Sequence, residues 1–166
     1  MGTRRTTPAL GAVLAALTFT GSAWADHAGA GDGATTSYDD HLHGTKLGDV
    51  IHGHQGADRI NGRRGPDRLF GGSGDDRLDD HLGVGTGGPL DTARDVYRGG
   101  PGDDTLMVGH HDDVRAGRGR DDVWAFYVGE GDFVDCGPGE DTLHLHQDLD
   151  GIETRGCETI LIRIAG

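Results

Sequence analysis

Along residues 44–79 one branched apolar residue returns every nine positions, at Ile51, Ile60, Leu69 and Leu78, in a mostly polar setting. The stretch divides into four nonapeptides, GTKLGDVIH, GHQGADRIN, GRRGPDRLF and GGSGDDRLD. Each opens on Gly, carries Asp sixth and the apolar residue eighth. Nine residues are too few for a long helix with one buried face. They suit a turn of six and a strand of three whose central side chain points inward while its neighbours point out. The glycines permit the positive φ that a tight turn needs. A fixed short period of this kind predicts stacked coils, each covering the last.

The phase extends in both directions. Asp40 and Leu42 stand nine residues before Asp49 and Ile51, which predicts a first strand without a full turn. After Asp79 the pattern breaks, and residues 80–94 read as a degenerate coil with a loop. It resumes with Asp95 and Tyr97, then Asp104 and Leu106 in GGPGDDTLM, Asp112 and Val114, Asp121 and Val123, Asp132 and Val134, and Asp141 and Leu143 in CGPGEDTLH. The run Ile160-Leu161-Ile162-Arg163-Ile164 predicts a closing strand over the end of the stack, where a solenoid needs a cap. The expected division is 1–25 signal peptide, 26–39 flexible leader, 40–79 first repeat block, 80–94 degenerate segment, 95–144 second block and 145–166 C-terminal cap. The fold class is all-β: a parallel β-roll, a solenoid of nonapeptides.

Composition sharpens this picture. Gly is the commonest residue at 32 of 166 and aromatics are 5%, so the interior is thin. Arg4 and Arg5, the apolar stretch Leu10–Phe19 and Ala23-Trp24-Ala25 resemble a secretory signal cut after Ala25, which implies a secreted, extracellular product. Its removal takes the net charge from −13 to −15. An acidic, Gly-rich chain stays loose unless cations offset the repulsion, and it is a poor partner for nucleic acid. No later segment is apolar enough for stable membrane insertion, and a monomer is expected, with any protein or surface partner undefined. An exported chain meets oxidising conditions, so Cys136 and Cys157 are expected to form a disulfide, worth about 3 kcal/mol on the chain-entropy model.

In a stack, equal places on successive equivalent coils lie about 4.8 Å apart. A column of aspartates at that spacing repels itself unless a cation sits between them. Calcium, with six to eight oxygen ligands and tolerant geometry, suits such turns better than magnesium, and Gly-rich backbone offers carbonyls as further ligands. The metal-ligand candidates are Asp49, Asp58, Asp67, Asp76, Asp104, Asp112, Asp121, Asp132 and Asp141. The competing explanation, Asp as a metal-free turn cap, does not require one Asp above another.

GGSGDDRLD and GGPGDDTLM resemble the nonapeptide G-G-x-G-x-D-x-U-x of RTX, or haemolysin-type, calcium-binding repeats, and the C-terminal Cys pair resembles that of small exported actinobacterial-type repeat proteins. The resemblance covers about residues 40 to 160. It implies a parallel β-roll with turns alternating between two sides and a calcium ion between each turn and the next but one. Carried over, Asp49 pairs with Asp67, Asp58 with Asp76 and Asp104 with Asp121, and carbonyls at Gly53, Gly62, Gly71, Gly72 and Gly100 contribute ligands. His54 and Arg63 depart from it by replacing the second turn glycine, and Leu47 replaces another turn Gly.

Other chemistries are weaker. Gly83–Gly88 fits G-x-G-x-x-G, but Pro89 follows where a helix should begin. The pairs His41/His43, His52/His54 and His144/His146 could share a transition metal, but lack an evident third ligand, so solvent-facing strand histidines are the simpler reading. The three serines include no G-x-S-x-G, and no H-E-x-x-H occurs, so no enzyme is expected. The expected function is calcium-coupled folding of a secreted β-roll. Alternatives are an adhesive or structural surface protein stiffened by calcium, a secreted hydrolase and, less favoured, a His-based transition-metal binder.

Overall fold

The computed structural model describes residues 24–25, 37–80, 92–126, 130–146 and 151–163. Among these every element is a strand, because a nine-residue period leaves room only for a turn and a short extended piece. Alternate strands enter opposite sheets. The larger sheet runs β1-β2-β4-β6-β8-β10-β12-β14 and the smaller β13-β11-β9-β7-β5-β3. In the first, β2 is His41–His43, β4 Arg59–Asn61, β6 Arg77–Asp79, β8 Thr105–Val108, β10 Asp122–Ala125, β12 Thr142–Leu145 and β14 Thr159–Ile162. In the second, β3 is Val50–Gln55, β5 Arg68–Ser73, β7 Val96–Pro101, β9 Asp113–Arg118, β11 Phe133–Asp135 and β13 Glu153–Arg155. Every pairing is parallel except that of the two-residue β1, Trp24–Ala25, which lies antiparallel on β2. The molecule is a parallel β-solenoid, the β-roll that the period predicts.

The eighth-place residues line the interior. Leu42, Ile60, Leu78, Leu106, Val123 and Leu143 come from one sheet, and Ile51, Leu69, Tyr97, Val114 and Val134 from the other. All are buried. Burying each aliphatic one fully contributes about 1.5–3 kcal/mol. The first place of the repeat also faces inward. It is Gly at 44, 53, 62 and 71, then Asp80, Gly99, Val108, Ala116, Ala125, Cys136 and Leu145. The second block thus adds apolar side chains where the first has none.

Three details refine the sequence reading. Strand β5 pairs directly with β7 and β6 with β8, so the stack has no rung for a degenerate coil in 80–94. Ten extra residues separate β6 from β7, since the pairing distance there is 28 rather than 18; residues 81–91 lie outside the described set. The C-terminal strand is present as β14, the last rung in register on β12, with Ile160, Leu161 and Ile162 37–44% exposed. Cys136 and Cys157 form the disulfide, Cα to Cα 5.2 Å. Apart from Trp24–Ala25, the expected signal segment 1–25 lies outside the described residues, as does most of the expected leader.

Candidate metal centre

The in-phase aspartates form two columns, one along each turn side of the roll. In the first, the backbone N–H of Asp40 donates to Asp58 Oδ1 (2.7 Å), Asp58 to Asp76 (2.8 Å), Asp76 to Asp104 (2.8 Å), Asp104 to Asp121 (2.9 Å) and Asp121 to Asp141 (2.8 Å). Glu158 ends the series, its Oε2 accepting from Asp141 N–H at 2.9 Å. In the second, Asp49 donates to Asp67 (2.8 Å), Asp67 to Asp95 (2.6 Å), Asp95 to Asp112 (3.0 Å) and Asp112 to Asp132 (2.7 Å). Coil-to-coil pairing sets this pattern, because each strand starts one residue after its Asp and drags it into register. The pairs Asp49/Asp67, Asp58/Asp76 and Asp104/Asp121 are neighbours in these columns.

All eleven aspartates are at most 8% exposed. In nine of them, all but Asp40 and Asp49 at the head of each column, one carboxylate oxygen takes the N–H described above. The second, Oδ2 of Asp58, Asp76, Asp95, Asp104, Asp121 and Asp141, is buried with no hydrogen-bond partner. A buried carboxylate oxygen left so costs free energy unless a proton or cation meets it. Burial accordingly raises Asp76 and Asp121 to about 6, Asp104 to about 7 and Asp112 to about 8, and raises Asp58, Asp95 and Asp141 as well; neighbouring carboxylates push the same way.

The glycines predicted as ligands lie beside these oxygens. A Cβ on Gly53 would strike Asp58 Oδ2 and the Gly71 carbonyl, and one on Gly62 or Gly71 would strike Oδ2 of Asp67 or Asp76. Beside Gly53 a carboxylate oxygen and a backbone carbonyl oxygen come together, donors of the kind that calcium takes. Gly72 and Gly100 hold the second place at φ +121° and +129°, each stacked over a carbonyl of the coil below. Asp132 sits in the second column at 4% exposure, and Asp112 Oδ2 also accepts the Gly109 N–H at 2.8 Å. Asp49 differs, since its Oδ2 takes the Thr45 N–H and hydroxyl while its Oδ1 is the buried oxygen lacking a partner.

The sequence reading left Asp40, Asp95 and Glu158 out of the ligand set, although Asp40 and Asp95 are in phase. It also passed over Asp80, whose signal was an acid standing at a glycine place. The histidines of the three H-x-H pairs stand on exposed or half-buried places: His52 stacks on Phe70 (4.5 Å), and His144 stacks on Trp124 (3.8 Å) and bonds Asp122 (2.6 Å). Among the described residues, the cluster of three potential ligands is Asp80, Asp95 and Asp112, without histidine.

These features define a parallel β-solenoid whose turns carry stacked, buried, under-satisfied carboxylates. The family model of the RTX calcium-binding nonapeptide repeat, in four copies, matches residues 35–69, 52–79 and 91–123. The chain carries RTX-type calcium-binding nonapeptide repeats. No curated protein and no solved structure gave a significant match. No helix among the described residues is long and apolar enough to cross a membrane.

Proposed function

We propose that this is a secreted calcium-binding β-roll that folds as several calcium ions enter between stacked turns. One observation carries the reading: two columns of buried carboxylates, most with one oxygen hydrogen-bonded to the next coil and the other facing Gly-rich backbone without a partner. Metal-free, such a column opposes its own stacking. Each bound ion removes repulsion and satisfies oxygens on two coils, so metal affinity becomes folding free energy. The ligands are Asp49, Asp58, Asp67, Asp76, Asp104, Asp112, Asp121, Asp132 and Asp141, joined by Asp40 and Asp95, with carbonyls of the turn glycines. At low intracellular calcium the acidic chain stays open for export; outside, it folds, and the disulfide forms. Binding and folding are the activity; no catalytic step is assigned.

The test is circular dichroism with metal analysis of the purified protein. Chelator is expected to abolish the strand signal, and calcium, not magnesium at equal concentration, to restore it cooperatively. A strand signal and melting temperature indifferent to chelator would overturn the proposal.

A further inference from the structure

The stacked turns 44–49 and 62–67 depart from the repeat at two glycine places. The fourth place is Gly at 56, 65, 74 and 102 but Leu at 47, and Leu47 is 64% exposed. The second place is Gly at 72 and 100, yet Arg63 holds it at φ 78°, a conformation that costs a side chain with a Cβ. Lys46 and Arg64 share the third place. Val50 and Arg68, paired in register, open the strands that leave the two turns, and Val50 is 55% exposed. A Cβ on Gly65 would strike the Leu47 backbone and one on Gly48 the Pro66 carbonyl, so the two turns lie directly on each other. One corner of the roll therefore carries Lys46, Arg63, Arg64 and Arg68 together with Leu47 and Val50.

The charge of this corner runs against that of the chain. The whole carries −13, yet from His41 to Gly74 the acids are Asp49, Asp58 and Asp67, all buried in the columns. In the second block the arginines meet acids instead: Arg98 and Arg115 approach Asp113 at 3.4 and 3.5 Å, and Arg120 approaches Asp103 at 3.4 Å. Neither the left-handed Arg63 nor the exposed Leu47 serves the core. A soluble polyanion would use the basic side chains and leave the aliphatic ones idle. A lipid surface uses both, since guanidinium groups pair with phosphate and an aliphatic side chain enters the headgroup layer.

We propose that this corner docks the folded protein on an anionic lipid surface, with Leu47 and Val50 in the headgroup layer and Lys46, Arg63, Arg64 and Arg68 on the lipid phosphates. Such docking is peripheral and needs no spanning helix. The surface itself rests on the fold. Its calcium dependence rests on the calcium reading, because ions beside Asp49 and Asp67 cancel the negative charge beneath the corner.

The full chain, loaded with calcium, is sedimented with vesicles of phosphatidylcholine alone and of phosphatidylcholine mixed equally with phosphatidylglycerol. Binding is expected on the mixed vesicles only and is weakened by salt. Arg63→Gly with Arg64→Gly is expected to lower affinity about 25-fold, about fivefold for each charge, while the strand signal in calcium is kept. Arg64→Gln with Arg68→Gln, which leaves the turn glycine places as they are, gives a similar loss and serves if the glycine pair folds poorly. Leu47→Ser is expected to weaken vesicle binding about fivefold and to leave binding to soluble polyphosphate unchanged. Equal binding to neutral vesicles, affinity unchanged in both double variants, Leu47→Ser binding as the parent does, or capture by polyphosphate without vesicle binding would each overturn the lipid surface. If calcium drives folding and no vesicle binds, this proposal alone fails. If the roll binds vesicles and its strand signal ignores chelator, the calcium reading alone fails.

Discussion

Arg63 and His54 occupy second-place positions at φ 78° and 81°, where Gly72 and Gly100 stand in neighbouring coils. Side chains with a Cβ pay for the left-handed region by about 1–2 kcal/mol, and Gly is freer in the unfolded chain, so the two effects partly cancel. Arg63→Gly should raise calcium-loaded stability by about 1 kcal/mol, read as a higher denaturant midpoint. The column aspartates set the pH response. Folded Asp76, Asp104, Asp112 and Asp121 hold protons up to about 6 to 8 against 3.8 in the free side chain. Between those limits the folded state binds more protons than the unfolded one, so stability falls as pH rises. The penalty is absent below about pH 4 and complete above about pH 8. Thermal melts in chelator should therefore show a more stable roll near pH 4.5 than near pH 8, and saturating calcium should remove or reverse that order, because ions then compete with protons for the same oxygens.

At the level of strands, the turn-plus-three reading was legible because hydrophobicity and glycine recur together. Asp58 and Ile60 alone fix a corner and an inward side chain. The extra residues of 80–94 were not legible in that way: nineteen residues between Asp76 and Asp95 fit two periods plus one, and only strand pairing shows that β7 follows β6 in the alternation. Asp80 was passed over because, with the repeat broken after Asp79, only strand pairing shows that it holds an inward place. Where the apolar first-place residues take over, from Val108 onward, the interior relies more on packing, and the disulfide ties the last rungs. Cys136→Ser with Cys157→Ser should lower stability by about 3 kcal/mol and loosen β11 to β14 first, which hydrogen exchange at those strands would register.

Over the whole molecule, repulsion and glycine entropy oppose the fold while a thin apolar column and bridging ions favour it. Each coil touches its neighbours alone, so order spreads along one axis, and assembly depends on what the turns hold. The ten additional residues near Asp80 leave that axis intact: Asp67 still meets Asp95, and Asp76 still meets Asp104. Gly53 stands five places before Asp58, and Asp80 fifteen before Asp95. Because the strands on either side of this interruption keep the common register, the length of chain between β6 and β7 does not set the stack, and lengthening or trimming it there should leave the coils above and below in step.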